Sequence, residues 1–417
     1  MNDNHSNDEW IYRPRRIVPL IREAVEDHPV VILTGARQVG KSTLLKQEKP
    51  FSEWRYVNLD DFDALRQAER DPTALWAGVD RVVVDEVQKS PVLLSAVKQS
   101  VDQRRMRKRF VLSGSANLLL MQKVSETLAG RAVYFTLFPM TVGEVQDRPM
   151  TSMLAEFFNG KFPDEQAVRG VDETPATHML RGFMPPLLTL SSAQAVIRWW
   201  EGYVSTYLER DLRQMSQVES LSDFRRVMEA LALRSGQMLN QTEVSRDIGV
   251  SQPTVHRYIN LLEASCLLIR LPAFSRNRTK RLIKTPKVFW VDPGLASYLA
   301  GLHEIAGLEA SREVGGIFET MALLHLEAAG QLMIPRPRIS YWRTVTGHEV
   351  DFVLEQGKRI LAIEVKRTSK PRYEDAESLR SFLKEYPETA AGLLVHAGRE
   401  ILRLDKKIAA VPWTVFG

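Results

Sequence analysis

The sequence has a single cysteine and no long apolar run, and these shortages exclude several classes of protein. Cys266 cannot form an internal disulfide or, alone, a cysteine-based zinc site. No stretch approaches the roughly 18 apolar residues of a transmembrane helix. Residues 1–5 are polar and partly acidic, unlike the basic start and apolar core of a secretory signal. We therefore expect a cytoplasmic protein without membrane contact.

Net charge is also small. The 417 residues include 56 Lys and Arg against 51 Asp and Glu, which leaves a formal charge of +5. A hydrophobic fraction of 44% is ordinary for a globular protein and excludes general disorder. At roughly 150 residues per domain, the length predicts two or three domains. The net charge does not identify a polyanionic partner, so the local distribution of charge must decide.

A phosphate-binding loop is predicted near the N-terminus. Residues 30–33 are apolar and mostly β-branched, which is typical of a buried parallel strand. The pattern G-x-x-x-x-G-K-S follows, and its glycines let successive N–H groups face phosphate oxygens. The residues that we expect to bind the nucleotide are Gly35, Ala36, Arg37, Gln38, Val39, Gly40, Lys41, Ser42 and Thr43.

These residues have separate expected roles. Lys41 would reach the β- and γ-phosphates, and Ser42 would place its hydroxyl on Mg²⁺. The helix that begins near Thr43 would favour anions at its N-terminus. The predicted cofactors are therefore ATP and Mg²⁺.

A second apolar strand, residues 81–84, ends in two carboxylates. Asp85 would hold Mg²⁺ directly or through water, and Glu86 would orient the attacking water. Two adjacent buried acids are costly without a cation, and Mg²⁺ supplies one. The alternative is a strand end with solvated acids.

A third strand, residues 110–112, precedes polar side chains that could contact the γ-phosphate or the water. Ser113, Ser115 and Asn117 are candidates, and spacing does not choose among them. Ser115 and Asn117 could equally cap a helix. The basic run at residues 104–109 favours a solvated loop, with nucleic-acid contact as the alternative.

The next motif carries a family resemblance. Leu128-Ala129-Gly130-Arg131 is followed by residues 137–141 and Glu144. With the preceding motifs, these residues resemble a prokaryotic predicted AAA-type ATPase family whose C-terminal half was long a domain of unknown function. The resemblance implies that Arg131 is an arginine finger for a neighbouring subunit, and hence a homo-oligomer. The alternative is a surface arginine in a turn. Where the family often has Gly-Gly-aromatic-Pro, this chain has residues 180–186 instead.

The middle of the chain is rich in helix formers and predicts a helical lid. Its aromatic stripe, which includes Trp199, Trp200 and Tyr203, favours a core role over base stacking. Residues 241–262 then predict a helix-turn-helix with its turn at Gly249. Helix caps are expected at Thr242 and at Ser251, with Pro253 in the first turn of the second helix. Apolar residues of that helix would face the core, namely Val255, Ile259 and Leu262. Its polar residues would be free to meet DNA, namely Gln252, Thr254, His256 and Arg257.

A basic wing is expected after this motif. Residues 264–291 contain no Asp or Glu. They carry the cations Arg270, Arg276, Arg278, Lys280, Arg281, Lys284 and Lys287. Such a patch favours DNA binding through phosphates, with affinity that falls as salt rises. Winged helices also contact proteins, which is the alternative.

The C-terminal third contains a nuclease-like constellation. Residues 349–354 and 360–366 predict a hairpin that brings Asp351 near Glu364 and Lys366, which share a face of one strand. These three residues resemble the PD-(D/E)xK nuclease core, with the acids binding a metal and the lysine assisting an attacking water. The resemblance adds Glu319, on a preceding helix, as a metal ligand, and Glu349 stands two residues before Asp351. Three alternatives stay open: cleavage, DNA binding without cleavage, and a plain hairpin.

Together these patterns predict an α/β protein. A P-loop doubly wound parallel sheet would be followed by a helical lid, a winged helix and a mixed α/β restriction-endonuclease-like domain. The predicted boundaries are 1–145 for the AAA-type core, 146–225 for the lid, 226–300 for the winged helix and 301–417 for the last domain. We expect ATP hydrolysis coupled to the remodelling or processing of duplex or branched DNA. The alternative is a nucleotide-dependent switch or scaffold in signalling or defence, whose winged helix binds protein.

Overall fold

The computed structural model describes most of the chain in two compact units. The described residues are 12–103, 107–114, 128–149, 152–163, 174–206, 218–276 and 285–417. The first unit runs to residue 140 and includes 144–148 and 184–199. The second unit contains 141–143, 149–183 and 200–417.

Strands and helices alternate early in the chain, and the later part is mixed. The strands are β1 Val30–Thr34, β2 Arg55–Asn58, β3 Arg81–Asp85, β4 Arg109–Ser113, β5 Ala132–Thr136, β6 Leu268–Leu271, β7 Lys287–Trp290, β8 Arg338–Arg343, β9 Glu349–Gln356, β10 Arg359–Lys366, β11 Ala391–His396, β12 Leu402–Asp405 and β13 Ile408–Pro412. The helices are α1 Val18–Asp27, α2 Lys41–Gln47, α3 Phe62–Arg70, α4 Val92–Gln103, α5 Val142–Val145, α6 Met153–Phe158, α7 Pro175–Arg181, α8 Ala193–Gly202, α9 Leu221–Ala232, α10 Gln241–Ile248, α11 Gln252–Ala264, α12 Pro293–Leu299, α13 Ile305–Ala310, α14 Val314–Gln331 and α15 Glu377–Glu385.

The first unit is built on a parallel sheet in the order β2-β3-β4-β1-β5. All five residues of β1 are buried, as a strand covered on both faces requires. Apolar residues of the sheet and of α4 share one core, among them Val30, Val84, Leu93, Val97 and Phe110. Because the strands are parallel, the carboxyl ends of β1, β3 and β4 lie at one edge of the sheet. The predicted phosphate loop, the paired acids and Ser113 therefore belong to the same edge, with β4 between β1 and β3.

The second unit contains the predicted helix pair α10 and α11. Gly249 ends α10 with a left-handed backbone (φ 65°), which glycine adopts without steric cost. The expected cap at Thr242 is wrong, because α10 begins at Gln241 and Thr242 lies inside the helix. Asn240 is the cap, and its side chain accepts a bond from the Glu243 N–H at 3.2 Å. Ser251 stands at the cap position of α11, but its hydroxyl bonds to the Thr254 hydroxyl at 2.9 Å rather than to a backbone N–H.

The two faces of α11 divide as the spacing predicts. Val255, Ile259 and Leu262 are fully buried. Gln252, His256 and Arg257 are exposed, and Thr254 is half-buried. Strands β6 and β7 follow as an antiparallel pair. The aromatic stripe is also core, because Trp200 and Tyr203 are buried.

A six-stranded mixed sheet forms the C-terminal part, in the order β12-β13-β11-β10-β9-β8. The predicted hairpin is confirmed, because β9 and β10 are antiparallel with Ile363 opposite Phe352. Helix α15 packs on β9, β10 and β11. Phe274, just after β6, packs in the same aromatic core as Phe382 and Tyr386, so the segment after β6 and this sheet share a core.

Asp292 anchors the segment at residues 180–186. It is fully buried and accepts bonds from the Phe183 and Gly294 N–H groups at 2.8 and 2.7 Å. Burial raises the pKa of Asp292 to about 6. Gly182 has φ 85°, and a Cβ there would collide with this carboxylate. The segment thus requires glycine for packing against Asp292. Among the described helices, none combines the length and apolar composition needed to cross a bilayer.

Candidate nucleotide site and a buried charge cluster

The loop after β1 has the curvature expected of a phosphate cradle. Gly35 and Gly40 have φ of 146° and 97°, and Gln38, although not a glycine, also has positive φ at 61°. A Cβ on Gly35 would collide with the Leu137 carbonyl. Glycine at position 35 therefore lets the loop pass close to the segment after β5.

Lys41 is buried within this loop. Its Nζ donates to the carbonyl oxygens of Gly35 and Ala36 at 3.0 and 2.9 Å. The Lys41 ammonium group thus lies at the loop that the sequence predicts to bind the phosphates.

Tyr56 is a site residue that sequence reasoning missed. Its hydroxyl donates to Asp85 Oδ2 at 2.5 Å. Burial and this bond raise the pKa of Tyr56, and a hydrogen bond with Ser42 acts in the opposite direction. Tyr56 therefore links the two predicted Mg²⁺ ligands. Tyr56 is on β2, which pairs with β3, and it lies opposite Val83, two residues before Asp85.

Glu86 follows Asp85 in a left-handed conformation with φ 56° and ψ 39°. Burial raises the pKa of Glu86, the charge of Asp85 raises it further, and a bond from Gln88 opposes both. A carboxylate with a raised pKa is a stronger base toward water. The role of Glu86 in orienting water stays a prediction.

Ser113 ends β4 and pairs in register with Leu33 at the end of β1. Its Oγ is buried and has no hydrogen-bond partner among the described residues. A buried hydroxyl without a partner is costly, so it indicates a site for a polar ligand. Ser115 and Asn117 lie outside the described residues.

Arg15 is a second residue that the sequence did not reveal. Its guanidinium is buried, pairs with Glu144 at 3.2 Å, and donates to the carbonyls of Val39 and Phe138 at 2.9 and 2.6 Å. It therefore joins the phosphate loop to the segment after β5. An open pocket lies beside this contact, lined by Tyr12, Arg13, Arg15, Gly40, Thr43, Met140, Pro185, Leu188 and Thr189.

Arg131 lies just before β5 on the surface of the first unit. Its Nε and Nη2 donate to the two oxygens of Asp102, at 2.7 and 3.0 Å. The side chain is thus held by a bidentate ion pair within its own chain.

Two basic segments differ from their sequence-based interpretation. In the run at 104–109, Lys108 is buried and donates to the carbonyls of Trp76 and Val79, so it is not available to nucleic acid. Arg109 donates to the Glu26 carbonyl at 3.0 Å, and residues 104–106 are outside the described residues.

The expected basic wing is also corrected where the structure describes it. Arg270 pairs with Glu263, and Arg276 pairs with Glu388. Lys287 is buried. Carboxylates elsewhere in the chain therefore neutralise these cations. The remaining members lie outside the described residues, namely Arg278, Lys280, Arg281 and Lys284.

Lys287 lies at the centre of the nuclease-like constellation. Its Nζ is 3.4 Å from Glu319 Oε2 and 3.4 Å from Asp351 Oδ1, and it forms a shorter ion pair with Glu349 Oε1. Burial alone would lower the pKa of Lys287, but the surrounding carboxylates outweigh it and raise the pKa. Lys287 is therefore a buried ammonium ion held by three carboxylates.

Glu364 and Lys366 form the other half of this cluster. Lys366 Nζ lies 2.8 Å from Glu364 Oε1, and the Val365 N–H donates to Asp351 Oδ2 at 2.8 Å. Burial, assisted by the charge of Asp351, raises the pKa of Glu364 to about 8. The structure thus brings together the four predicted residues, Glu319 included, and adds Lys287 among them.

These residues do not fit a divalent metal. Among the described residues, no group of three or more His, Cys, Asp or Glu side chains has the arrangement of a metal site. Of the predicted ligands, Glu319 and Asp351 each turn one oxygen to Lys287, and Glu364 turns one to Lys366. The nucleotide edge of the first unit fits Mg²⁺ better, because Ser42 and Asp85 offer the oxygen ligands that Mg²⁺ prefers.

Comparison with known proteins agrees with the geometry of the first unit. A family described as AAA domain matches residues 27–146. Domains of unknown function match residues 172–306 (DUF8612) and 314–416 (DUF4143). The first unit therefore carries a AAA-type P-loop domain, and the protein is a nucleotide-dependent ATPase.

Two mycobacterial proteins match nearly the whole chain. Uncharacterized proteins of Mycobacterium tuberculosis and Mycobacterium bovis are each 32% identical over 395 residues, covering 94% of this chain and 82% of theirs. The chain belongs to the same family as these two proteins. An uncharacterized protein of Haemophilus influenzae is 22% identical over 298 residues, covering 65% of this chain and 69% of its own.

Solved structures show only weak similarity to this chain in sequence and in fold. One is a Signal Transduction ATPase with Numerous Domains protein with a tetratricopeptide repeat sensor from Pyrococcus horikoshii, at 13% identity and a TM-score of 0.26. The match covers 78% of this chain but only half of that chain. Another is the DNA clamp loader delta protein of Bacillus subtilis, at 12% identity and a TM-score of 0.27, covering 74% of this chain and 99% of that one. TM-scores of this size do not support a common overall fold.

Proposed function

We propose that this protein binds ATP with Mg²⁺ at the edge formed by β1, β3 and β4, hydrolyses it, and couples the cycle to DNA. The observation that supports the proposal most directly is that four features meet at this edge. They are the curved loop, the buried Lys41, the Tyr56–Asp85 bond and the Ser113 hydroxyl, which has no partner among the described residues. These are the groups that phosphoryl transfer requires, namely a phosphate cradle, a cation, metal ligands and a polar contact for the γ-phosphate.

Each residue has a defined task in this proposal. Lys41 exchanges the loop carbonyls for β- and γ-phosphate oxygens. Ser42 and Asp85 would hold Mg²⁺, which would supply positive charge to the transferring phosphoryl group. Glu86 orients the attacking water and draws its proton. Ser113 donates its free hydroxyl to the γ-phosphate or to that water.

The pocket beside Gly40 and Thr43 is the place for the nucleoside. It adjoins the phosphate loop, and Met140, Pro185 and Leu188 give it the apolar lining that a purine base requires. Tyr12 and Thr189 supply polar groups at the same pocket.

Arg131 is proposed to act on the nucleotide of a neighbouring subunit. It is on the surface, and its only described carboxylate partner, Asp102, is also exposed. Because solvent reaches this pair, water can take over the Asp102 carboxylate when Arg131 turns to a phosphate across an interface. The proposal therefore includes a homo-oligomer, and ATPase activity per subunit should rise with protein concentration.

DNA contact is proposed through the exposed face of α11. Gln252, His256 and Arg257 lie on that face, where Arg257 pairs with the exposed Glu219 at 3.1 Å. Together with α9, α10 and the β6–β7 pair, α11 has the order of a winged helix. The experiment compares ATPase rate and DNA binding on linear, forked and four-way DNA at low salt. We expect DNA to stimulate ATP hydrolysis. Arg257→Ala should weaken DNA binding. Lys358→Ala, at an exposed position elsewhere in the second unit, should leave DNA binding unchanged.

A protein-binding switch is the second candidate, and one observation favours it. The described wing cations Arg270, Arg276 and Lys287 are all neutralised by carboxylates. If no DNA form binds at low salt and none changes the ATPase rate, the DNA part of the proposal is wrong and the switch stands. Nuclease activity is not part of the proposal, because Lys287 lies among the carboxylates that would bind the metal.

A further inference from the structure

The buried charge cluster differs from a metal-dependent site in the source of its positive charge. Three carboxylates from two elements, Glu319 on α14 and Glu349 and Asp351 on β9, converge on the Lys287 ammonium group. The Lys287 side chain is 4% exposed. Carboxylates buried in this way require a cation, and the chain itself provides one.

Most of the carboxylate oxygens of the cluster have a partner among the described residues. Asp351 gives one oxygen to Lys287 and the other to the Val365 N–H. Glu349 lies between Lys287 and Arg343, the latter at 3.6 Å. One Glu364 oxygen contacts Lys366, and only its Oε2 has no partner among the described residues.

A divalent cation could not be added to this arrangement. Mg²⁺ requires near-octahedral oxygen coordination at about 2.0–2.1 Å. Here it would have to share the same carboxylates with a fixed ammonium of like charge. One unpartnered Glu364 oxygen does not make a coordination sphere.

The backbone holds Lys287 in place from both sides. Strand β7 pairs with β6 on one side, and a bridge joins Lys287 to Met238 on the other. The Gly236 N–H donates to the Val288 carbonyl at 2.8 Å. The backbone of Lys287 is therefore fixed beside the cluster.

Helix α14 approaches residues 235–236 closely, and Gly316 makes this approach possible. A Cβ at this position would collide with the Ser235 carbonyl, so glycine permits the approach of α14 to residues 235–236. The Ser235 and Thr320 hydroxyls bond at 2.8 Å beside Glu319. This contact sets Glu319 within reach of Lys287.

We propose that Lys287 takes the place of the catalytic divalent cation, so that the nuclease-like constellation is a metal-free charge cluster that holds β7 and α14 on the β9–β10 hairpin and does not cleave DNA. The inference concerns the second unit and does not depend on the proposed ATPase function.

The test measures Mn²⁺ binding by calorimetry on the full chain without nucleotide. Wild type and Asp351→Asn should bind Mn²⁺ equally, because no metal site includes Asp351. Lys287→Ala should gain a Mn²⁺ site that Lys358→Ala lacks. The Mn²⁺ affinity of Lys287→Ala should be at least about tenfold above that of wild type, since removing the ammonium leaves its carboxylates free for a cation. Asp351→Asn in the Lys287→Ala background should abolish the gain.

Two results would overturn the proposal. One is a Mn²⁺ site in wild type that Asp351→Asn removes. The other is a folded Lys287→Ala protein that gains no Asp351-dependent site. Should Lys287→Ala fail to fold, the comparison of wild type with Asp351→Asn still decides. Duplex DNA incubated with Mg²⁺ or Mn²⁺ gives an independent readout: equal absence of cleavage in both proteins is expected, and cleavage lost in Asp351→Asn contradicts the proposal.

Discussion

Both units bury carboxylates near strand ends, and they differ in where the compensating positive charge comes from. In the first unit, Asp85 accepts bonds from a tyrosine and a backbone N–H, and Lys41 donates to loop carbonyls. In the second unit, Lys287 lies directly among its acids. The first arrangement leaves a cation to be supplied by a ligand, whereas the second contains its own. Under the two proposals, acids and lysines form a reactive site in the first unit and a structural cluster in the second.

The largest expected effect comes from the second site. Lys287→Ala should lower the free energy of unfolding of the second unit by about 3–5 kcal/mol, because it leaves buried carboxylates without their cation. Urea denaturation measures this, and Lys358→Ala should change it by less than about 0.5 kcal/mol. A loss below about 1 kcal/mol would mean that the lysine is not essential to the cluster, and the contrast between the two sites would fail.

At the first site, Lys41→Ala should reduce the ATPase rate by about 100-fold or more, since it removes a preorganised charge that stabilises the transition state. Folding should be preserved, because the Lys41 ammonium donates to carbonyl oxygens of the loop, which water can solvate in its absence. Lys49→Ala, an exposed lysine after α2, is the control for steady-state turnover. Retained turnover in Lys41→Ala would refute the assignment of the loop.

Tyr56 tests whether the first site is arranged for a metal. Tyr56→Phe removes the hydroxyl between Ser42 and Asp85, so the Mg²⁺ concentration for half-maximal ATPase activity should rise by roughly three- to tenfold. Tyr134→Phe, on the exposed edge strand β5, should leave that concentration unchanged. An equal loss of rate at all Mg²⁺ concentrations would instead indicate a purely structural role.

The last prediction concerns pH. In the folded protein the pKa of Glu364 is raised from 4.5 to about 8, so the folded state keeps a proton that the unfolded chain releases. This contribution to stability is fully present below about pH 4.5 and is lost as pH rises through 8. Glu364→Gln should flatten that decline in urea denaturation across pH 5 to 9, and Glu374→Gln, at an exposed position, should not. An unchanged slope in Glu364→Gln would show that other groups carry the dependence.

Local patterns predicted much of the fold. The phosphate loop, the acidic end of β3, the buried face of α11 and the β9–β10 hairpin all depend on residues that are close in sequence. Periodicity and turn residues report such features directly. The cap of α10 was misplaced by only two residues, from Asn240 to Thr242, which is within the ambiguity of neighbouring polar residues.

Long-range pairs were not predictable in the same way. Tyr56 meets Asp85 from 29 positions away, Arg15 meets Glu144 from 129, and Lys287 meets Asp351 from 64. Counting charges along the chain placed Lys287 in a basic wing, because its partners lie far downstream. A single sequence shows which side chains are charged, but only tertiary packing shows which are neutralised.

Arg15 has a mechanical consequence. Its three bonds tie Val39 in the phosphate loop to Phe138 and Glu144, at the stretch where the chain leaves the first unit. A planar guanidinium bonds in several directions at once, whereas a lysine would act from one point. Any displacement of Val39 must therefore break a buried bond or move the segment after β5 with it. Arg15 thus couples the position of the phosphate loop to that of the segment after β5.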